Sequence, residues 1–346
     1  MKAAILAGGL GTRLYPVTYA VPKAMVPIAN RPLLERILGW LVRSEVREVA
    51  LAVCYKPETI REHFKDGADF GVRLDYVMES EPLGTGGAVK NCSALLDGPF
   101  VVMNGDILTS FDLAAMLEFH ARKRAAATIA TVLVPDPSRY GVVESDSEGR
   151  VKRFLEKPAA GAMRDQYINA GIYIFESGLL AEMPPPPFSM ERDFFPHLLQ
   201  KRLPFYAFRT EGYWIDVGTA ESYRQAHRDI LDGKLRVPLD GAERQPRVRV
   251  GHGTSIAEGA VTTAPALVGR DCRVRARAAL GPYCVVGDQV VIEQGASMSR
   301  SVVWDGCVVG AGARIADCII GSGIRIEPGA SLVGQAIAEQ TGCDCG

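Results

Sequence analysis

The sequence predicts an α/β domain built on a mostly parallel sheet, followed by a β-solenoid. Three observations carry that expectation. Short apolar runs that read as buried strands alternate with helical spacing through the first two thirds of the chain. A glycine-rich turn directly follows the first of those runs. In the last third an aliphatic residue recurs at every sixth position, a fixed period that an irregular β-sandwich does not keep. At 346 residues the chain has room for two domains with sizeable cores.

Ala3 to Ala7 is a short apolar run, the pattern of a strand buried on both faces. Gly8, Gly9 and Gly11 follow, where a backbone without Cβ atoms can turn sharply and bring its N–H groups to a ligand. Glycines alone serve a structural turn equally well. Arg13 and Lys23 add a forked and a mobile cation, so the stretch reads as a phosphate cradle. It matches neither the dinucleotide fingerprint nor the P-loop.

Leu33, Leu34, Ile37, Leu38, Leu41 and Val42 predict a helix over 32–44, followed by a buried strand over 49–55, a helix over 57–64 and a strand over 74–78. Right-handed crossovers then align the strand ends, and any ligand, along one edge. Glu81-Pro82-Leu83-Gly84-Thr85-Gly86-Gly87 reads as a loop opening a helix, which is either a plain helix start or a close backbone approach to a base or phosphate. A strand over 100–103 ends in Asn104-Gly105-Asp106. Aspartate favours turns, but magnesium takes one or two carboxylates plus phosphate oxygens, which makes Asp106 a metal candidate beside a phosphate loop. A helix over 113–124, a strand over 127–134 and a hairpin through Asp146-Ser147-Glu148-Gly149 come next. Ser189 reads as a helix N-cap with an acidic first turn, and a charged helix over 220–235 closes the domain.

The six-residue period runs through Val250, Ile256, Thr262, Val268, Val274, Leu280, Val286, Ile292, Met298 and Trp304. Glycine or alanine often follows, as at Gly251, Ala257, Gly269, Gly281 and Gly287. After Trp304 the phase is read to slip by one, resuming at Val309 and Ile315, and to slip again to Ile320, Ile326 and Leu332. Of the five histidines only His252 falls here, which argues against a histidine-dependent acyltransferase and for a scaffold of assembly or regulation. Solenoid ends expose strand edges, so a homo-oligomer through this region is expected.

A hydrophobic content of 47% and a charged content of 23% fit a globular protein. A net charge of −1 gives no electrostatic case for nucleic acid or an anionic membrane. No apolar run reaches the roughly 18 residues of a membrane span, and no basic-then-apolar leader opens the chain. Eight scattered cysteines, several inside apolar runs, fit a reduced, cytoplasmic protein. Cys343 and Cys345 have no nearby histidine or further cysteine pair to complete a metal site.

These motifs resemble those of the sugar-1-phosphate nucleotidyltransferases, also called nucleoside-diphosphate-sugar pyrophosphorylases. The matching stretches are Gly8 to Leu14 with Pro22-Lys23, Leu83 to Gly87, Asn104-Gly105-Asp106, Tyr140-Gly141, Glu156-Lys157-Pro158, Asn169-Ala170-Gly171 and Trp214 to Thr219. The resemblance implies a Rossmann-like, GT-A-like catalytic domain over 1–236, a connector over 237–247, a left-handed parallel β-helix of hexapeptide repeats over 248–335 and a tail over 336–346. It implies catalytic roles for Arg13, Lys23 and Asp106. Leu6, Ala7, Gly8, Gly9, Gly11, Thr12, Glu81, Pro82, Gly84, Thr85 and Asn104 are expected to bind the nucleotide. Gly141, Glu156, Lys157 and Asn169 are expected to bind the sugar phosphate, and Asp106 and Asp216 to hold Mg2+.

The reaction implied joins an NTP to a sugar 1-phosphate and releases pyrophosphate. Ser189-Met190-Glu191-Arg192-Asp193-Phe194-Phe195-Pro196 and the solenoid are most similar to mannose-1-phosphate guanylyltransferases, which favours GTP and mannose 1-phosphate. Thymidylyl- or uridylyltransferases acting on glucose 1-phosphate, and heptose-1-phosphate guanylyltransferases, share the chemistry. The Thr85-Gly86-Gly87 form resembles the heptose enzymes, and Tyr15 stands where an arginine is common. A non-catalytic subunit that senses nucleotide-sugar is the alternative of another class.

Overall fold

The computed structural model describes residues 1–159, 161 and 163–339, so Cys343 and Cys345 lie outside the described residues. The chain divides into two compact units. One comprises Met1–Gly9 and Ile37–Trp214, the other Leu10–Arg36 and Ile215–Gly346.

The first unit is a nine-stranded mixed sheet flanked by helices. Its centre is the Lys2–Leu6 strand, parallel to Glu48–Val53 on one side and to Pro99–Asn104 on the other. Arg73–Met78 extends the parallel half. Beyond Pro99–Asn104 the sheet turns antiparallel: Gln166–Glu176 pairs with it, and Gly141–Ser145 and Val151–Glu156 form the expected hairpin. The parallel half is joined by helical crossovers, and a short turn joins the antiparallel Gly141–Ser145 and Val151–Glu156 pair. The Leu33–Arg43, Pro57–Phe64 and Leu113–Lys123 helices fall where their apolar spacing places them. Ala4, Val102, Tyr173, Phe175, Phe194 and Phe195 are fully buried in one core.

The second unit holds the solenoid. Short parallel strands stack into a seven-stranded sheet and two five-stranded sheets, the three-sided arrangement of a left-handed β-helix. Val250, Val268 and Val286 stack in register, as do Ile256, Val274 and Ile292. The next coil is one residue shorter: Val286 pairs with Val303, not Trp304, and Ile292 with Val309. The phase slip thus falls before Trp304, which leaves the aliphatic column. The antiparallel Ala242–Gln245 strand pairs with Val248–Val250 and closes the first edge. The Ala220–Leu231 helix stops short of residue 235, because Gly233 takes the left-handed conformation (φ 76°) that ends helices.

No helix among the described residues is long and apolar enough to cross a membrane.

Candidate active site

In the first unit, strand order reverses between Lys2–Leu6 and Pro99–Asn104, because later strands add outward from each. Open α/β sheets bind ligands at such a switch point, outside the carboxyl ends of the strands. Leu6 and Asn104 are register partners, so the two loops leave the sheet at one level. The Gly105 N–H donates to the Leu6 carbonyl at 2.9 Å, and a Cβ on Gly105 would lie 2.7 Å from that oxygen. Only glycine permits this approach, which sets Asp106 beside the start of the Ala7-Gly8-Gly9 loop. A Cβ on Gly9 would meet nothing within 4 Å. The Asn104 Oδ1 is buried with no hydrogen-bond partner among the described residues.

Glu79, which no motif singles out, lies at the same edge. It follows the Arg73–Met78 strand, is buried, and keeps its Oε2 3.6 Å from where a Gly8 Cβ would stand. The Oε2 accepts a 3.4 Å bond from the Leu83 N–H, while Oε1 has no partner among the described residues. Burial raises its carboxyl above the usual range. The sequence shows only an acidic residue directly after a strand; its burial comes from the fold.

Glu81 and Pro82 are exposed, and Gly84 opens the Gly84–Asn91 helix at φ 75°. Its glycines serve packing. The Gly86 and Gly87 N–H groups both donate to the Phe188 carbonyl, and a Cβ on Gly86 would fall 2.1 Å from the Phe188 ring. The Thr85 hydroxyl donates to Glu191 at 2.7 Å and accepts from the Met190 N–H at 2.9 Å. Ser189 caps the following turn as expected, accepting from the Glu191 and Arg192 N–H groups, and Met190–Phe194 winds as a π-helix.

Gly141 and Glu156 are cross-strand partners, and the Lys157 N–H donates to the Tyr140 carbonyl at 3.1 Å. Ile168, next to Asn169, pairs with Val142. Pairing thus puts Gly141, Glu156 and Asn169 on neighbouring strands, with Lys157 just past the end of Val151–Glu156. Lys157 adopts φ 45°, and its Nζ lies 3.6 Å from Glu156. Burial, then the Glu191 charge, raises the Glu156 carboxyl. Asn169 bridges the Tyr173 hydroxyl at 2.8 Å and the Gly171 N–H at 2.9 Å.

In the second unit, Gly11 turns at φ 67°, and a Cβ there would lie 3.1 Å from Thr18 and 3.2 Å from the Lys23 Cβ. Thr12–Leu14 forms a single 3-10 turn carrying Arg13. Asp216 receives both cations, with Arg13 at 3.9 Å and Lys23 at 4.0 Å. A Cβ on Gly218 would fall 2.7 Å from Asp216 and 2.8 Å from Arg13, so the Asp-x-Gly spacing is what lets the pair approach. Thr219 and Ser222 form a capping box that fixes the turn.

A family model described as nucleotidyl transferase matches residues 2–233, and one described as GMPPB C-terminal domain matches residues 262–341. The chain belongs to the nucleotidyl transferase family. A UTP–glucose-1-phosphate uridylyltransferase from Synechocystis is 33% identical across 98% of this chain and 92% of its own. A mannose-1-phosphate guanylyltransferase from Mycobacterium tuberculosis is 36% identical across 87% and 83%. The crystal structure of HddC from Yersinia pseudotuberculosis superposes with a TM-score of 0.58 at 34% identity, covering 65% of this chain and 97% of that one. Nucleotidyl transferases generally use a divalent metal and act on NTP and sugar-phosphate substrates.

Proposed function

We propose that this nucleotidyl transferase makes GDP-mannose and pyrophosphate from GTP and mannose 1-phosphate in the cytoplasm. The observation that carries the reading is the Gly8-Gly9 loop and Asn104-Gly105-Asp106 leaving adjacent strands at the switch point. Several relatives named mannose-1-phosphate guanylyltransferase, at 34–36% identity, and the GMPPB-type C-terminal match support the choice of substrates. A second HddC structure is a complex with GMP-PN.

The sugar phosphate is already anionic at neutral pH, so its oxygen attacks the α-phosphate without a general base. The barrier lies in bringing anions together and in charge growing on the leaving pyrophosphate. In this reading Leu6, Ala7, Gly8, Gly9, Gly11 and Thr12 cradle the triphosphate, Arg13 stabilises the pyrophosphate, and Lys23 holds the reacting phosphates. Lys157 anchors the sugar phosphate, while Gly141, Glu156 and Asn169 meet the sugar. Glu81, Pro82, Gly84, Thr85 and Asn104 border the nucleoside.

In this reading Asp106 and Asp216 each offer hard carboxylate oxygens, which Mg2+ takes alongside waters and substrate phosphate. Bound there, Mg2+ would offset charge on the α-phosphate. Six free cysteines among the described residues agree with a reducing compartment. Association of copies through the solenoid belongs to the same proposal, and light scattering tests it.

Uridylyl transfer to glucose 1-phosphate is the second reading, favoured by the Synechocystis relative that matches nearly the whole chain. The deciding experiment supplies Mg2+, each NTP and a panel of sugar 1-phosphates, and measures pyrophosphate release. GTP with mannose 1-phosphate is expected to be fastest. No release with any pair ends the enzymatic reading. Lys23→Ala and Asp106→Ala are each expected to lower kcat by about 10²–10³ with an unchanged melting temperature. Near-parental turnover in Asp106→Ala would remove its metal role.

A further inference from the structure

The Lys23–Met25 turn runs directly into a two-residue hairpin in which Pro27–Ile28 pairs with Arg31–Pro32. Ala29 (φ 49°) and Asn30 (φ 65°) form its tip, both left-handed, as a tight hairpin turn requires. So small a hairpin is not stable alone. Here its backbone groups are gripped by other parts of the second unit. The Tyr223 hydroxyl donates to the Pro27 carbonyl at 2.6 Å and accepts from the Trp304 indole N–H at 2.9 Å. Arg36 donates to the Ile28 carbonyl at 3.0 Å, the Ala29 carbonyl at 2.8 Å and the connector's Pro238 carbonyl at 2.7 Å. The Ala29 N–H donates to His227 at 3.4 Å, and the Asn30 amide donates to the Val286 carbonyl in the solenoid at 2.7 Å.

Two of these ties begin on the solenoid. Trp304 is the aromatic that the shortened coil expels from the aliphatic column, and it is buried against Tyr223, itself fully buried. An indole N–H and a phenol buried this deeply are costly unless each finds its partner. The Trp304–Tyr223–Pro27 line meets that need only with the hairpin in one position. Lys23 stands a few residues upstream in the same short segment, 4.0 Å from Asp216.

We propose that the solenoid is a positioning element for nucleotidyl transfer: Trp304, acting through Tyr223, and Val286, acting through Asn30, set the segment that carries Lys23. Trp304, Tyr223 and Asn30 are positioning residues, since none is placed against the substrates. The inference rests on the catalytic reading of Lys23 given above. It assigns the solenoid a part in the chemical step that does not require association of copies.

The test uses the full chain with Mg2+, GTP and mannose 1-phosphate. Trp304→Phe keeps an aromatic ring and deletes the donor. Asn30→Gly keeps the left-handed turn and deletes the amide. Each is expected to lower kcat about tenfold with both KM values unchanged, because a displaced cation weakens the transition state more than the ground state. Backbone amides within residues 22–32 are expected to exchange faster with deuterium in both variants. Trp304→Phe is expected to add nothing in a Tyr223→Phe background, since the two act in series. Parental kcat in both variants overturns the proposal. So does a lower melting temperature with unchanged exchange in 22–32. If the parent chain releases no pyrophosphate with any substrate pair, the catalytic reading fails separately, and amide exchange alone decides whether the solenoid holds this segment.

Discussion

At the scale of single residues, we propose Glu79 as a group that selects the base. A carboxylate offers two acceptors, which suit the adjacent N1–H and N2–H donors of guanine. Uracil presents one donor between two carbonyls, which a carboxylate repels. The Glu79 carboxylate lies beside the Gly8 loop, and its Oε1 has no partner among the described residues, which supports this role. Glu79→Gln is therefore expected to lower kcat/KM for GTP by about 10–100-fold and to narrow the gap between GTP and UTP. An unchanged GTP:UTP ratio would remove Glu79 from base selection. Sequence reading reached the loop but not this residue, because the motif begins at Glu81 and the value of Glu79 comes from burial, which no spacing reveals. The loop glycines at 86 and 87 show the converse. Their pattern was legible, yet their N–H groups go to Phe188.

His227 gives a pH prediction at the same scale. It is buried, and loss of solvation pushes its pKa down from 6.5 to about 3. The unfolded chain binds a proton there below pH 6.5 that the native chain refuses until near pH 3. Stability is therefore full above pH 6.5 and falls as pH drops through that window, by on the order of 5 kcal/mol at most. His227→Asn keeps an acceptor for the Ala29 N–H but does not titrate. Its melting temperature is expected to fall less steeply between pH 6.5 and 4 than the parent's. Parallel profiles would show that another group governs the acid limb.

At the scale of elements, the solenoid was the most legible part of the chain, because a six-residue period needs no tertiary information. What the period could not locate was the shortened turn, since Val303 and Trp304 are both apolar and only strand pairing tells which one stacks. The glycines after the corner residues have a packing reason. A Cβ on Gly269 would lie 2.4 Å from the Gly287 carbonyl, and one on Gly251 2.5 Å from Gly269. Successive coils come too close there for a side chain. Gly269→Ala is expected to destabilise the protein by about 1–3 kcal/mol, read as a lower denaturant midpoint. Ala257 holds the equivalent place after a corner residue in another column and already carries a Cβ, so Ala257→Ser serves as the neutral comparison.

At the scale of the whole molecule, the sequence suggests a catalytic domain ending near residue 236, whereas Leu10–Arg36 belongs to one compact unit with residues 215–339. That partition could not be read from the chain, because it depends on hydrogen bonds between residues far apart in sequence. HddC shows the alternative: 97% of its chain is matched by 65% of this one, so a relative of this fold exists that the rest of this chain does not match. Here, removing residues 237–346 would strip Asn30 of the Val286 carbonyl, Arg36 of the Pro238 carbonyl and Tyr223 of the Trp304 indole. Each lost partner of a buried polar group costs about 1–3 kcal/mol, and the three together rival the 5–15 kcal/mol that keeps a domain folded. A chain ending at residue 236 is therefore expected to melt broadly at a lower temperature and to release pyrophosphate at a small fraction of the parental rate. Circular dichroism melts and the pyrophosphate assay check both halves. A truncated chain with parental kcat would mean that the Lys23 segment holds its position unaided.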